Sequence, residues 1–354
     1  MESIDLLQQL SDAFGVAGFE DEVRGQIETF ISPYVDELRT DTLGNLIATR
    51  RGNSDLTLML DAHMDEVGFM VKWIDNNGYL RFTPLGGWDE RIIPGHRVEI
   101  LSRSGEKHCG VIGSAPPHIL TAKQRKEPIP IEKMFIDVGG GSSQEVADMG
   151  LRIGDPLTIH YPFTKLREGY VTGKAFDDRV GCVAMIQTAC RLASANLDVN
   201  LVLAFVIGEE VGLRGARTAA YQINPDLALA LEGTIGADMP GIPEENQPVR
   251  LGHGPAITVA DRGIIVSPKL IKALEQTAER EAIPYQYKLP IYGGTDAGVI
   301  HLTREGIMAG ILSVPCRFIH SPTSTVRLND LENTIQLLTH FIKDLPGSLL
   351  QQRT

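Results

Sequence analysis

The chain has 354 residues, with 33 Lys plus Arg against 45 Asp plus Glu, 43% hydrophobic residues and 22% charged ones. That profile excludes intrinsic disorder and supplies ample apolar material for one large domain or two smaller ones. The net charge of −12 excludes nucleic acid as an expected partner, and no apolar run approaches the roughly 20 residues that span a bilayer.

Residues 1–66 open with a helical pattern and reach a strand in LTLMLDAHMD, where Leu56, Leu58 and Leu60 alternate with Thr57, Met59 and Asp61. The texture then changes. Over residues 67–168, short runs such as FMVKWI, YLRFTPL, HRVEILS and DPLTIHY are separated by Gly, Pro and Asn turns with little helical periodicity. This predicts a β-rich, barrel-like lobe. The GGGS at 139–142 lacks the GxxxxGK[ST] pattern of a phosphate loop and is read as a turn.

From residue 169 strands and helices alternate: helix over 179–192, strand over 199–207, helix over 213–222 and strand over 227–231. A strand over 257–260, a helix over 268–281, a strand over 307–314 and a terminal helix over 329–341 follow. Such alternation predicts an α/β fold, a mixed central sheet flanked by helices. Because residues 1–66 also feed a strand to that sheet, the chain reads as a catalytic domain of 1–66 and 169–354 with 67–168 inserted. The opening MESIDLLQQL has no basic n-region or apolar h-region, and the four cysteines form no CxxC pair; a cytoplasmic location is expected.

In open α/β sheets ligands gather beyond the carboxyl ends of the strands. Polar residues stand at such places in five segments: His63 and Asp65 in DAHMDEVG, Asp177 and Asp178 in KAFDDRVG, Glu209 and Glu210 in VIGEEVG, Glu232 in LALEGT, and His320 in RFIHSP. Singly, each has a plain explanation as a surface histidine, a solvated charge or a helix cap. Jointly, two histidines and several carboxylates converging on one crevice repel one another unless cations sit among them. Two divalent ions about 3.5–4 Å apart, sharing one carboxylate and taking one histidine and one acid each, would be satisfied by this set. A further carboxylate is then free to take a proton from water.

The motifs AHMDEVGFMV, GKAFDDRVGC, EEVGLRGA, YGGTDAG and RFIHSPTSTV occur in an order and spacing that resembles the glutamyl-aminopeptidase-like family of co-catalytic metallopeptidases, which includes the TET aminopeptidases. The likeness spans essentially the whole chain and implies a zinc-peptidase-like fold. It implies His63 and His320 as the histidine ligands of the two metals, Asp177 as the bridging acid, Glu210 and Glu232 as the remaining ligands, and Glu209 as the general base. Glu232 departs from the Asp that many members carry there. Asp65 resembles the aspartate that supports the first histidine, and a cis peptide is implied between Asp177 and Asp178. GGTDAG borders the substrate in the family.

The expected activity is therefore a two-metal aminopeptidase acting on peptides, with two divalent ions per subunit. Zinc is favoured, and cobalt or manganese also suits such a shell. The absence of a GxSxG elbow agrees with a mechanism without a covalent intermediate. Alternatives are a deacylase of small N-acylated metabolites, an endoglucanase using two carboxyls, and an inactive assembly protein. The resemblance also implies a dimer-based homo-oligomer, up to a hollow dodecamer, with the β lobe serving assembly or substrate access.

Overall fold

The computed structural model describes residues 1–289, 291–345 and 349. Helices α1 (Ser3–Asp12) and α2 (Asp21–Ile31) come first, burying Leu6, Leu7 and Leu10 and Val23, Ile27 and Ile31 at helical spacing. Strands β1 (Glu37–Thr40), β2 (Leu46–Arg50) and β3 (Thr57–His63) follow. Six short strands come next: β4 (Gly68–Ile74), β5 (Leu80–Leu85), β6 (Arg97–Leu101), β7 (Lys107–Gly113), β8 (Phe135–Asp137) and β9 (Pro156–Ile159), with helix α3 (Ser143–Asp148) before the last.

The chain returns through β10 (Thr164–Lys165), β11 (Tyr170–Gly173), α4 (Phe176–Leu192), β12 (Asn200–Val206), α5 (Arg214–Ile223) and β13 (Leu227–Gly236). It ends with β14 (Ala256–Thr258), α6 (Pro268–Arg280), β15 (Gln286–Lys288), α7 (Ala297–Ile300), β16 (Met308–Arg317), β17 (Ser324–Arg327) and α8 (Leu328–Lys343). Among the described residues no helix is long and apolar enough to cross a membrane.

The main sheet has 11 strands in the order β1-β2-β12-β3-β13-β16-β17-β11-β10, with β14 and β15 branching from β16. Its centre, β12, β3, β13 and β16, is parallel, and its flanks are antiparallel. The fold is thus mixed α/β, and the parallel centre aims four carboxyl ends in one direction. Helix α4, buried on nearly every side, lies against β3, β13 and α8, which is why its sequence is apolar all round.

Two details differ from the pattern expected of the sequence. In β3, Met59 and Asp61 are as enclosed as Leu58 and Leu60, because a central parallel strand is covered on both faces. Strands β13 and β16 are longer than expected, pairing from Leu227↔Met308 to Gly236↔Arg317. Glu232 therefore stands inside β13, opposite Ser313, rather than beyond its end.

Strands β4-β5-β8-β7-β6-β9 close into a barrel. Alternate residues fill it: Phe69, Phe82, Ile100, Ile112, Ile136 and Leu157 are fully buried, with Phe69 edge-on to Phe82 at 5.0 Å and stacked on Trp88 at 4.7 Å. Helix α3 was not foreseen in this lobe. Its start is capped by Ser142, whose Oγ accepts the Glu145 N–H at 3.2 Å, while Glu145 Oε2 accepts the Gly141 N–H of the preceding turn at 2.9 Å, so GGGS is a turn that ends in a helix cap.

A buried ion network ties barrel, helices and sheet together. Glu66 Oε1 accepts from Lys174 Nζ at 2.7 Å and from the Gly15 N–H at 3.1 Å, and lies 3.8 Å from Arg179 Nη2. Its Oε2 accepts from Thr158 Oγ1 of β9 at 3.0 Å. Lys174 and Arg179 also donate to the α1 segment, at Ala13 and Leu10. Burial lowers the Lys174 pKa and Glu66 opposes that shift. Glu66→Gln leaves two enclosed cations without their close counter-charge and is expected to cost about 3–5 kcal/mol in urea unfolding; a loss under about 1 kcal/mol would show the network to be dispensable.

Candidate metal centre

The polar residues singled out at the carboxyl edge converge. His63 closes β3, Asp177 sits at the entry to α4, Glu209 and Glu210 follow β12, and His320 follows β16. Asp177 lies between the histidines: its Oδ1 is 3.3 Å from His63 Nε2 and its Oδ2 is 3.3 Å from His320 Nε2. Glu232 Oε2 is 3.8 Å from His63 Nε2, and Glu210 Oε1 is 3.4 Å from His320 Nε2. Each histidine thus faces Asp177 and one glutamate of its own.

The outer nitrogens fix the rings. His63 Nδ1–H donates to the Asp65 carbonyl at 3.1 Å, and His320 Nδ1–H donates to the Gly87 carbonyl at 3.2 Å. A carbonyl only accepts, so each ring carries a proton on Nδ1 and turns its Nε2 edge toward the carboxylates. Gly87 allows the approach, since a Cβ there would meet His320 Nδ1 at 3.2 Å. The Asp65 carboxylate is 3.6 Å from His63 Nδ1, farther than its own carbonyl. Its oxygens instead accept the backbone N–H of Glu209 at 3.0 Å and of Glu210 at 3.1 Å.

The peptide between Asp177 and Asp178 is cis. The two acids do different things. Asp178 Oδ1 accepts the Gly181 N–H at 3.0 Å and its Oδ2 the His63 N–H at 3.3 Å, so its oxygens are spent on backbone. Asp177 Oδ1 and Glu210 Oε1 are buried and have no hydrogen-bond partner among the described residues.

The electrostatics express a shortage of positive charge. Burial pushes Glu209 and Glu210 each up to about 8 and carries Glu232 well above the usual carboxylate range, against the pull of the histidines. Burial also opposes the charged forms of His320 and Asp177, but here the pairing wins: His320 rises to about 9 and Asp177 falls below its ordinary value. Imidazole nitrogens beside buried carboxylate oxygens that lack a hydrogen-bond partner are the donor set of a divalent ion. Donor atoms of His63, Asp177 and Glu210, and of His63, Asp178 and Glu232, gather within 4.8 Å of one another. The residues fit a metal.

A cavity of about 370 Å³ opens on this cluster, lined also by Thr234, Ile235, Lys288, Ile319 and the Gly293–Gly294–Thr295 segment of the GGTDAG stretch. Thr295 Oγ1 donates to Asp261 Oδ2 at 3.0 Å, which holds that segment. His253, near this edge of the sheet in sequence, is exposed and is not among these lining residues.

Two features escaped the sequence reading. Lys288 reaches the cavity from a three-residue strand, and a short alternation, Gln-Tyr-Lys, was the available signal. Among the described residues none of the four oxygens of the fully enclosed Asp61 and Asp296 has a hydrogen-bond partner, and burial raises the pKa of both, which favours their neutral forms. An acid inside the apolar run LTLMLDAH was the signal there.

A mixed α/β sheet with an inserted barrel carries a histidine–carboxylate cluster at its carboxyl edge, and the relatives that this chain matches make it a hydrolase of the peptidase class. Residues 44–337 match the M42 glutamyl aminopeptidase family. The chain is 34% identical to the lysyl aminopeptidase of Pyrococcus furiosus, over 96% of this chain and 97% of that protein. It superposes on an aminopeptidase from the archaeon Desulfurococcus kamchatkensis with TM-score 0.94 and 38% identity, covering 99% and 97% of the two chains. With the TET1 peptidase of Pyrococcus horikoshii, which assembles into a tetrahedron or a large octahedral shell, the TM-score is 0.88 at 32% identity over 97% of this chain and 100% of that one. The chain belongs to the M42 glutamyl aminopeptidase family.

Proposed function

We propose that this protein is a two-metal aminopeptidase that releases the residue at the free amino end of peptides. The observation that carries the reading is Asp177, with one oxygen toward the Nε2 of each histidine. His63, Asp177 and Glu232 would hold one ion, and His320, Asp177 and Glu210 the other. When bound, the ions would polarise the scissile carbonyl and acidify water. Zinc suits the imidazole and carboxylate donors, with cobalt and manganese as substitutes.

The chain's own residues do the rest. Glu209 lines the cavity beside His63 and Asp177, and takes the proton of the attacking water and then delivers it to the departing amine. Asp65 holds the backbone of Glu209 and Glu210 in place through both carboxylate oxygens. That clamp fixes the base and a ligand by one rigid contact.

Further copies of the chain are proposed as its partners, in a dimer-based assembly like that of the TET1 relative. Four unpaired cysteines, Cys109, Cys182, Cys190 and Cys316, support a reducing, cytoplasmic setting.

The test is hydrolysis of aminoacyl-anilides against their N-acetylated counterparts, with and without chelator. Only free-amino substrates are expected to be cleaved. Chelation is expected to lower the rate at least about 10³-fold, since a lost Lewis acid withdraws several kcal/mol of transition-state stabilisation. Added zinc, cobalt or manganese restores it. Preferential cleavage of the N-acetylated set would make the protein a deacylase, and chelator-resistant hydrolysis would remove the metals from the mechanism.

A further inference from the structure

Glu20 immediately precedes α2, and only 4% of the residue is exposed. It stands at the capping position of that helix, yet its side chain bonds none of the helix's N–H groups. Instead its Oε1 accepts the N–H of Gly18 at 2.7 Å, and Gly18 makes the turn with a φ of +89°. Burial pushes the Glu20 carboxyl up to about 7 and the charge of Asp65 adds to the push, while hydrogen bonds from the N–H groups of Gly18 and Gly208 favour the charged form. Acids held at such a cost gather where function needs a fixed geometry.

Gly208 connects this acid to the site. It is the residue before Glu209, two positions beyond β12, with a φ of +63°. The next two N–H groups, of Glu209 and Glu210, are held by Asp65 at 3.0 Å and 3.1 Å. Three successive backbone N–H groups of the loop are thus taken by two enclosed carboxylates, Glu20 and Asp65. The two acids arrive on paired backbones: Val16 bridges Glu66 in parallel, and the Glu66 N–H donates to the Gly15 carbonyl at 2.9 Å. On the far side of the base, the N–H groups of Gly212 and Leu213 both donate to the Glu209 carbonyl at 2.9 Å.

We propose that Glu20 is a positioning residue for the hydrolytic step: together with Asp65 it fixes the backbone that carries Glu209, and so sets where the base meets the attacking water. The inference rests on the reading of Glu209 as that base. Glu20 is not among the residues lining the cavity, so its effect passes through the loop. Proton transfer is steep in geometry, and a displacement of about 1 Å costs up to about 10²-fold. Glutamine at position 20 keeps the shape and one acceptor, but it loses the charge and turns an NH₂ group toward a backbone N–H.

The experiment is a double-mutant cycle on the metal-loaded protein, read with an aminoacyl-anilide. Glu20→Gln is expected to lower kcat at least about tenfold, with KM within about threefold and the metal content of the unaltered protein. Placed on top of Glu209→Gln, it is expected to cost no more than about threefold further, because no base is left to position. A purely structural role would multiply the two losses instead. Metal content and unfolding midpoint are measured for every variant, and kinetics are run well below the lowest midpoint. Should Glu20→Gln not fold, Glu20→Asp, which keeps the charge and shortens the reach, goes through the same cycle with the same outcomes. A kcat within about threefold of the unaltered protein, or a further loss of about tenfold or more in the double variant, overturns the Glu20 assignment alone. Unimpaired turnover by metal-loaded Glu209→Gln overturns the reading of the base, and this assignment with it.

Discussion

The Glu209→Gln variant is expected to bind divalent metal as the unaltered protein does and to hydrolyse aminoacyl-anilides about 10³-fold more slowly, within the 10²–10⁴ that a positioned general base contributes. Glutamine matches glutamate in shape and still accepts hydrogen bonds, but it cannot take a proton. The backbone of Glu209 is anchored through its N–H to Asp65 Oδ1 at 3.0 Å, so the exchange leaves the loop in place. Burial holds the Glu209 carboxyl near 8 in the metal-free chain, and positive charge beside it favours the ionised form that a base must have. Kinetics on protein of measured metal content checks this. Turnover within a factor of about three of the unaltered protein would assign the proton transfer to another group.

Asp177→Asn is expected to strip the centre of metal, with affinity falling beyond the 10–100-fold that follows loss of an outer partner of a ligand. Asparagine offers one acceptor and one donor where Asp177 turns an acceptor toward each histidine, at 3.3 Å on both sides. Activity should fall with the metal. Asp178→Asn is the informative contrast: its oxygens accept the N–H groups of His63 and Gly181, so its loss should appear chiefly as about 1–3 kcal/mol of stability. Calorimetric metal titration and urea unfolding of both variants separate the roles. If Asp178→Asn lost the metal and Asp177→Asn kept it, the ligand assignment would be reversed.

Much of the centre was legible because the carboxyl edge of a parallel sheet is a place that sequence can locate. His63 ends an apolar run, Glu209 and Glu210 end another, and Asp177 precedes a helix apolar all round, so each announces its position by what flanks it. The mixed sheet and the inserted lobe could be read from the switch between two-residue and 3.6-residue periodicity. Glu232 was harder to place, because the length of β13 depends on its pairing with β16 rather than on its own residues. The Glu66–Lys174–Arg179 network, the Asp61–Asp296 pair and Lys288 were not legible. Their meaning comes from partners far along the chain, and an isolated Lys or Asp in a sequence carries no sign of being enclosed.

The barrel lends the chemistry one atom: the Gly87 carbonyl, just beyond β5, orients the His320 ring. The insertion is therefore no detachable ornament. A shortened protein in which a linker replaces the lobe would retain every proposed ligand and yet let that imidazole spin. Grafting new surfaces onto this scaffold should leave the turn through Gly87 and Trp88 untouched.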